Sequence, residues 1–363
     1  MTDASAALNR LLQARRRTPG PLRRVSPNQL NIRRRRNGKG FTYIGPGGRA
    51  VRDSATLRRL KSLAVPPAYE DVLYAEDPRA HLQAVGRDAA GRLQYRYHPE
   101  WEKVRERRKA KRLVALVEAL PRIRRSVSRH LAAGEPTREF VLAAIIHLVA
   151  RSAIRPGSEA YLRMHGTRGA ATLLKSSVSV KRDTVVLAFR GKGGAPVQRE
   201  IRSRRTANAI GVLLQFPGKR LFQYRDDAGK LRSVRRRDVN EFLYAIAGVR
   251  ISLKDFRTLL ASTAVLETLA HIPPAKSERM RRRQMLDAVR SAADDLANTP
   301  AVCRRSYVHD TIFAAFENGA LKRYSSELKQ CRSSSGRERV LAQIVASATR
   351  QPSPAALRKA AGR

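Results

Sequence analysis

The chemistry this chain could perform starts from a tyrosine, Tyr307, at the end of the run Asn298-Thr-Pro-Ala-Val-Cys-Arg-Arg-Ser-Tyr307. A phenol has a pKa of about 10 and is a poor nucleophile until cations stabilise its anion. Arg304 and Arg305 lie beside it in sequence, and a Thr-Pro pair upstream starts a helix. Three further cations stand in unusual local settings. Arg155 directly precedes Pro156-Gly-Ser-Glu159, a helix start with proline near its first position. Lys192 projects from Arg190-Gly-Lys-Gly-Gly194, a hairpin tip whose glycines let the backbone approach a ligand closely. Arg257 lies in Lys254-Asp-Phe-Arg-Thr258, near the start of another helix. Taken singly, each has an ordinary reading: Tyr307 as a half-buried tyrosine on a surface helix, Arg257 as a surface arginine. The Gly-Lys-Gly triplet lacks the Gly-x-x-x-x-Gly-Lys-Ser/Thr pattern of a nucleotide-hydrolysing loop.

The elements that must position these residues follow from local patterning. Residues 1–38 are rich in Arg and Pro, end in Arg33-Arg-Arg-Arg36-Asn-Gly38, and read as a basic, disordered arm. Strands are expected at Phe41–Ile44 and Val72–Tyr74, with a hairpin of 81–86 and 92–97 around Arg87-Asp-Ala-Ala-Gly91. Period-two alternation puts Gln94, Arg96 and His98 on one face of that strand, and Tyr95 and Tyr97 on the other, where a core role is the alternative to nucleic-acid contact. Residues 39–106 thus form a small β-rich domain. After Pro99 the pattern turns helical, over 101–118 and again from an N-cap at Thr137. Three strands are expected at 177–180, 184–189 and 197–201, then helices at 204–214, 237–247, 253–270 and 277–296. The fold class is α+β, a small β-rich N-terminal domain followed by a larger, mainly helical domain over 107–325 that contains a three-stranded β segment. Residues 326–363, polar, Ser-rich and Pro-containing, read as a basic disordered tail.

Charge narrows the partner. The 363 residues carry 74 Lys and Arg against 30 Asp and Glu, a formal net charge of +44. Residues 1–40 contribute net +10 and residues 326–363 net +6, which leaves +28 on the body between them. A body so charged repels itself unless it meets a polyanion, and nucleic acid fits best. No run approaches the ~18 apolar residues of a membrane span, and the N-terminus lacks the order of a signal peptide. Two cysteines, Cys303 and Cys331, are too few for a disulfide framework and suit a reducing, cytoplasmic setting.

Arg155 in Ile-Arg-Pro-Gly, Lys192 in Phe-Arg-Gly-Lys-Gly, Arg257 in Lys-Asp-Phe-Arg-Thr and Tyr307 in its ten-residue context occur in one order. Together with Val65-Pro-Pro-Ala, Gly86-Arg-Asp-Ala-Ala-Gly-Arg92, Gln94-Tyr-Arg-Tyr-His-Pro99, Leu221-Phe-Gln-Tyr224 and Asp238-Val-Asn240, the chain resembles a type IB DNA topoisomerase of the compact bacterial and poxviral kind, from roughly Phe41 to Leu321. The resemblance implies a tyrosine nucleophile (Tyr307) that forms a 3′-phosphotyrosyl link. Arg155 and Arg257 would face the non-bridging oxygens, and Lys192 would protonate the leaving 5′-oxygen. It implies no metal, no ATP and no other cofactor, and a monomer that clamps supercoiled duplex DNA in association with the nucleoid. Where poxviral and eukaryotic relatives place a histidine, nine positions before the tyrosine, this chain has Asn298, whose amide can still donate a hydrogen bond. His309 is an alternative donor. Gln94, Tyr95, Tyr97 and Arg105 match DNA contacts of the N-terminal domain and its exit, and Tyr161 matches a major-groove reader. The rivals are a tyrosine recombinase, which usually has a histidine where this chain has Lys254, and a noncatalytic basic nucleic-acid-binding protein.

Overall fold

The computed structural model describes residues 21–331 and 333–350, with side chains described as far as residue 347. The chain divides into two compact units between Glu106 and Arg107. In the N-terminal unit, β1 (Ile32–Asn37) and β2 (Gly40–Ile44) form a hairpin closed by Gly38, which sits at φ 55°. Helix α1 (Ser54–Ser62) follows, capped by Asp53, whose carboxylate accepts from the Thr56 amide at 2.7 Å. Then come β3 (Glu70–Tyr74), β4 (Leu82–Arg87) and β5 (Leu93–Tyr97). The antiparallel sheet has the order β2-β1-β3-β4-β5. Ile32, Tyr43, Val72, Tyr74 and Ala84 meet Leu60 of α1 in one core, while Leu30, Ala75, Ala80, Leu82 and Val85 form another.

The expected arm is therefore corrected: Ile32–Asn37 is a strand paired on both sides, and residues 1–20 lie outside the described part. The arginine run hid a period of two. Ile32 is buried, Arg33 and Arg35 are exposed, and the Arg34 guanidinium donates to the carbonyls of Val65 and Pro66 at 3.1 Å and of Tyr69 at 2.6 Å. One arginine of what looked like a solvated charge run, Arg34, is thus pinned on the strand by charge-assisted hydrogen bonds.

Helix α2 (Pro99–Ala132) contains the division between the units. It runs nearly four turns past the expected end, on through Pro121. Leu116, Leu120, Ile123 and Val127 keep the buried stripe going, and their burial outweighs the roughly 3 kcal/mol cost of an internal proline. Helix α3 (Arg138–Ser152) is capped by Thr137 and buried on nearly every side. Helix α4 (Glu159–His165) is short and mostly exposed. Strands β6 (Val178–Lys181), β7 (Thr184–Arg190) and β8 (Pro196–Arg202) form a three-stranded antiparallel sheet. Helix α5 (Arg204–Gln215) precedes a small hairpin of β9 (Gln223–Arg225) and β10 (Leu231–Ser233). The rest is helical: α6 (Arg236–Ala247), α7 (Leu253–Ala270), α8 (Glu278–Asp295), α9 (Pro300–Tyr307), α10 (Asp310–Glu317), α11 (Ser325–Gln330) and α12 (Ser334–Arg350). One continuous apolar core joins α2, α3 and α5 to α12. The α+β expectation holds, with its β-rich unit first and a three-stranded segment inside the helical one.

The expected tail is also corrected. Leu328 of α11 and Val340, Leu341, Ile344 and Val345 of α12 are buried in the core of the second unit. Arg124 holds Glu338 through both carboxylate oxygens, at 2.7 and 2.8 Å. The spacing of those four aliphatics is that of a helix face, which the serines around it obscure. Residues 332 and 351–363 lie outside the described part.

Candidate active site

Arg155 is fixed by the way α3 ends. Ala153 adopts a left-handed conformation (φ 52°) at the C-cap, turning the chain so that Arg155 leaves the helix axis. The loop that follows is locked from behind. The Arg155 and Pro156 carbonyls accept from the amides of Ala170 (2.8 Å) and Ala171 (2.9 Å). A Cβ at Gly169 would lie 2.4 Å from the Arg155 carbonyl oxygen and the Gly157 nitrogen, so only glycine permits this approach. The Arg155 guanidinium donates to the Ala297 carbonyl at 3.2 Å and to Oδ1 of Asn298.

Arg257 lies one turn into α7. That helix starts with a reciprocal cap, in which the Asp255 carboxylate accepts from the Ser252 amide at 2.7 Å and from its hydroxyl at 2.8 Å. Oδ1 of Asn240 accepts from the Leu253 amide at 3.0 Å, satisfying another orphan donor of the first turn. Arg257 is not the surface arginine that its local sequence alone would suggest: it is 1% exposed. It donates to the carbonyls of Ala153 and of Leu296 (3.0 Å), and its Nε has no protein partner. Burial pulls its pKa below the ordinary arginine value, though a guanidinium stays charged.

Tyr307 closes α9, a helix capped by Thr299 with Pro300 at its first position. Its ring is buried, and its carbonyl accepts from the Ser262 hydroxyl of α7 at 3.0 Å. The Arg257 guanidinium carbon stands 4.7 Å from the ring centroid and Nζ of Lys254 5.6 Å. Burial alone would raise the phenol's pKa. Arg257, then Arg155 and Lys254, outweigh it, and the phenol is lowered overall. The arginines next to Tyr307 in sequence are not the activating ones: Arg304 instead packs over Phe313, 4.3 Å from its centroid.

Lys192 sits in the 3-10 turn Lys192–Gly194 between β7 and β8, exposed, with Gly193 and Gly194 at φ 75° and 76°. Its Nζ is 5.9 Å from the ring of Tyr161, which is 48% exposed on α4. Arg155, Tyr161, Lys192, Lys254, Arg257 and Tyr307 all line one cleft of about 480 Å³. Segments far apart in sequence thus deliver Arg155, Lys192, Lys254, Arg257 and the phenol of Tyr307 to a single concavity. A groove of about 810 Å³ shares Ser158, Arg236 and Asn240 with this cleft and is lined by Arg112, Arg235, Arg237 and Arg250. It holds Tyr244, half exposed, whereas the smaller cleft sets Tyr307 against Arg257 and Lys254, which makes that cleft the candidate site of chemistry.

Lys254 is the member that sequence reasoning passed over, noting it only as the residue standing where a recombinase has histidine. The available signal was its position three residues before Arg257, which puts both on one helix face. Asn298 lies next to the cleft, bound to Arg155. His309 does not line the cleft. It is buried at the N-cap of α10, where Nδ1 accepts from the Thr311 amide at 3.2 Å.

Among the expected DNA contacts, Tyr95 and Tyr97 are not core residues. They are 42% and 41% exposed and stack on each other at 6.2 Å between centroids, with Tyr97 stacked on Trp101 at 6.4 Å. Gln94 donates to the Asp88 carboxylate at 2.9 Å, which ties it to the hairpin turn, and Arg105 pairs with Glu102 at 3.1 Å. Helix α4, which carries Tyr161, is held by Arg220 through both oxygens of Glu159, an anchor that the sequence reading missed. Among the described residues no cluster of His, Cys, Asp and Glu could hold a metal ion, and no helix is long and apolar enough to cross a membrane.

Residues 98–334 match the family described as "Eukaryotic DNA topoisomerase I, catalytic core", and residues 40–88 match "Bacterial DNA topoisomerase IB, N-terminal domain". The chain is 28% identical to the DNA topoisomerase 1B of Acanthamoeba polyphaga mimivirus over 294 residues, 79% of this chain and 88% of the relative. It is 23% identical over 292 residues to the DNA topoisomerase 1B of Vaccinia virus (strain Copenhagen), covering 76% and 87% respectively. The same identity and coverage relate it to a DNA topoisomerase I of Monkeypox virus.

Proposed function

The chain belongs to the type IB DNA topoisomerase family, and we propose that it performs that family's reaction with Tyr307 as nucleophile and Arg155, Arg257, Lys192 and Lys254 as its electrostatic partners. The observation that carries this assignment is that those four cations line one cleft with Tyr307. The enzyme relaxes duplex DNA by transient cleavage of one strand, without ATP or metal. Oη of Tyr307 attacks the scissile phosphorus, its proton passing to water as the new O–P bond forms. The bond from phosphorus to the 5′-oxygen breaks and its electron pair leaves with that oxygen. Lys192, on its glycine-flanked turn, gives the 5′-oxygen a proton. Arg155 and Arg257 present preorganised N–H groups to the non-bridging oxygens, where charge accumulates in the pentacoordinate transition state. Because the phosphotyrosine conserves the bond, the free 5′-hydroxyl attacks it in turn once the supercoil has relaxed.

The substrate is supercoiled duplex DNA, engaged by a monomer as a clamp, and the place of action is the cytoplasm, at the nucleoid. Exposed Tyr95, Tyr97 and Tyr161, with Gln94 and Arg105, supply contacts to the duplex, and the arginine-lined groove beside the cleft supplies phosphate contacts. The direct test is plasmid relaxation in EDTA without ATP. Wild-type protein relaxes both negatively and positively supercoiled plasmid and leaves a covalent protein–DNA adduct on denaturation, while Tyr307→Phe does neither. Relaxation surviving in that variant would assign the nucleophile elsewhere. Compaction of plasmid without relaxation would return the protein to the noncatalytic DNA-binding class.

A further inference from the structure

Arg155 and Arg257 are held from the same place. Helix α8 ends at a C-cap on Leu296, and Ala297 then adopts a left-handed conformation (φ 47°). The last carbonyls of a helix have no partner within it and form the negative end of its dipole. Here they are spent on guanidinium groups: the Leu296 carbonyl accepts from Arg257 at 3.0 Å and the Ala297 carbonyl from Arg155 at 3.2 Å. The next residue, Asn298, adds a third acceptor, its Oδ1, to Arg155. Two cations that repel each other are thus drawn to one anionic helix end, which answers how they coexist beside Tyr307.

Asn298 in this arrangement does not present itself mainly as a donor. Its carbonyl oxygen is committed to Arg155, and its Nδ2 has a marginal 3.5 Å contact with the Leu296 carbonyl. A guanidinium is a planar fork with fixed donor directions. With one nitrogen on Ala297 and another on Asn298, its plane is set and its remaining N–H groups are aimed before substrate arrives. A protonated imidazole in place of Asn298 has two donors and no acceptor, and cannot hold Arg155 in this way.

We propose that Asn298 is a positioning residue that acts through Arg155, orienting its guanidinium on one non-bridging oxygen of the scissile phosphate. This rests on the topoisomerase assignment, and the test separates the two. Single-turnover formation of the covalent adduct is measured on duplex DNA at saturating protein for Asn298→Ala, Arg155→Ala and the double variant, with thermal melting as the control for folding. Asn298→Ala slows cleavage about ten- to a hundredfold, the usual cost of losing a residue that orients a reacting group, and melts within a few degrees of wild type. In the Arg155→Ala background the same change costs less than about twofold. Multiplicative effects overturn the proposal.

The second readout is a scissile methylphosphonate, in which one non-bridging oxygen is replaced by an uncharged methyl group. The diastereomer that most relieves the Arg155→Ala defect also relieves the Asn298→Ala defect. Relief of Asn298→Ala by the opposite diastereomer makes it a direct donor to the other oxygen, and relief by neither makes its role structural; either result overturns the proposal. If wild-type protein forms no adduct at all, the enzyme assignment falls and this inference with it. If wild-type forms the adduct and Tyr307→Phe does not, these results bear on Asn298 alone.

Discussion

At the residue scale, the site solves a problem of leaving groups as much as of nucleophiles. In the proposed reaction the nucleophile is Tyr307, whose phenol is lowered in pKa by Arg257, Arg155 and Lys254, but an alkoxide still leaves reluctantly without a proton. Lys192 is carried on a turn that Gly193 and Gly194 shape at φ 75° and 76°, and as an exposed ammonium it suits that transfer. Lys192→Ala slows adduct formation on ordinary DNA by about 10²- to 10⁴-fold, the range for loss of a general acid. On DNA with sulfur at the 5′-bridging position the loss shrinks to less than about tenfold, because a thiolate leaves unprotonated. Equal slowing on both substrates would remove Lys192 from that role. A second residue-scale effect lies outside the site. His147, on α3, has its pKa pushed down to about 4 by burial first and by Arg151 and Arg205 after it, and its Nε2 has no partner. Its folded pKa lies below the unfolded value of about 6.5, so the unfolded chain binds the extra proton first. His147 therefore costs nothing above pH 6.5 and destabilises the fold progressively as pH falls from there toward 4, by about 2–3 kcal/mol at most. Urea midpoints of wild type and His147→Gln measured at pH 7.5 and pH 4.5 check this. The difference between the proteins shifts in favour of the variant at the lower pH, and a constant difference would rule out the titration.

At the scale of elements, the last helix secures the site from behind. Helix α12 packs on α7 and α10, which carry Arg257 and follow Tyr307. Leu341 is fully buried there. Leu341→Ala removes about 2–5 kcal/mol by loss of transfer energy and the cavity left behind, read as a fall in denaturation midpoint with unchanged slope. A substitution at Leu341 that left stability within about 0.5 kcal/mol would mean that α12 is peripheral to the fold. This is also where the sequence was hardest to read. The strands and helices that carry Lys192, Arg257 and Tyr307 were legible because their apolar periods are uninterrupted and the cap of the Tyr307 helix, Thr299, is ordinary. What escaped were elements whose composition disguises their period. Arg33–Arg36 looks like a tail, because three of its four side chains do face solvent or other polar groups, and only Ile32 and the pinned Arg34 betray the strand. Val340-Leu-Ala-Gln-Ile-Val345 is a two-turn stripe set among serines and arginines. Pro121 marks an end that packing overrides. The residues of the site were legible for another reason: their order and local contexts match one family. Their distances are a product of tertiary structure, and so is the fact that Asn298 meets Arg155 rather than open cleft.

At the scale of the whole molecule, the positive charge is distributed where a polyanion would be gripped, and not only at the ends of the chain. The groove beside the cleft gathers Arg112, Arg235, Arg236, Arg237 and Arg250. Arg235–Arg237 occupy the N-cap and first turn of α6, where the helix dipole disfavours cations. Asp238 and Glu241 offset part of that cost: Asp238 accepts from the Arg235 amide at 2.7 Å and Glu241 pairs with Arg237 at 3.4 Å. A helix start that carries three exposed arginines against its own field is best explained by an anionic ligand that repays them. If those side chains neutralise phosphates, each releases condensed counterions from the duplex, and log K falls with log salt by about 0.9 per contact. Arg235→Gln combined with Arg237→Gln is therefore expected to weaken duplex binding at low salt. It flattens the slope of log K against log salt by about 1–2, depending on how much of Arg237 remains committed to Glu241. Titrating a fluorescent duplex from ~50 to ~200 mM salt with wild type and variant measures both quantities. A weaker intercept with an unchanged slope would show that the groove shapes the protein and not its phosphate contacts. An unchanged intercept and slope would move the polyanion-binding charge away from this groove altogether.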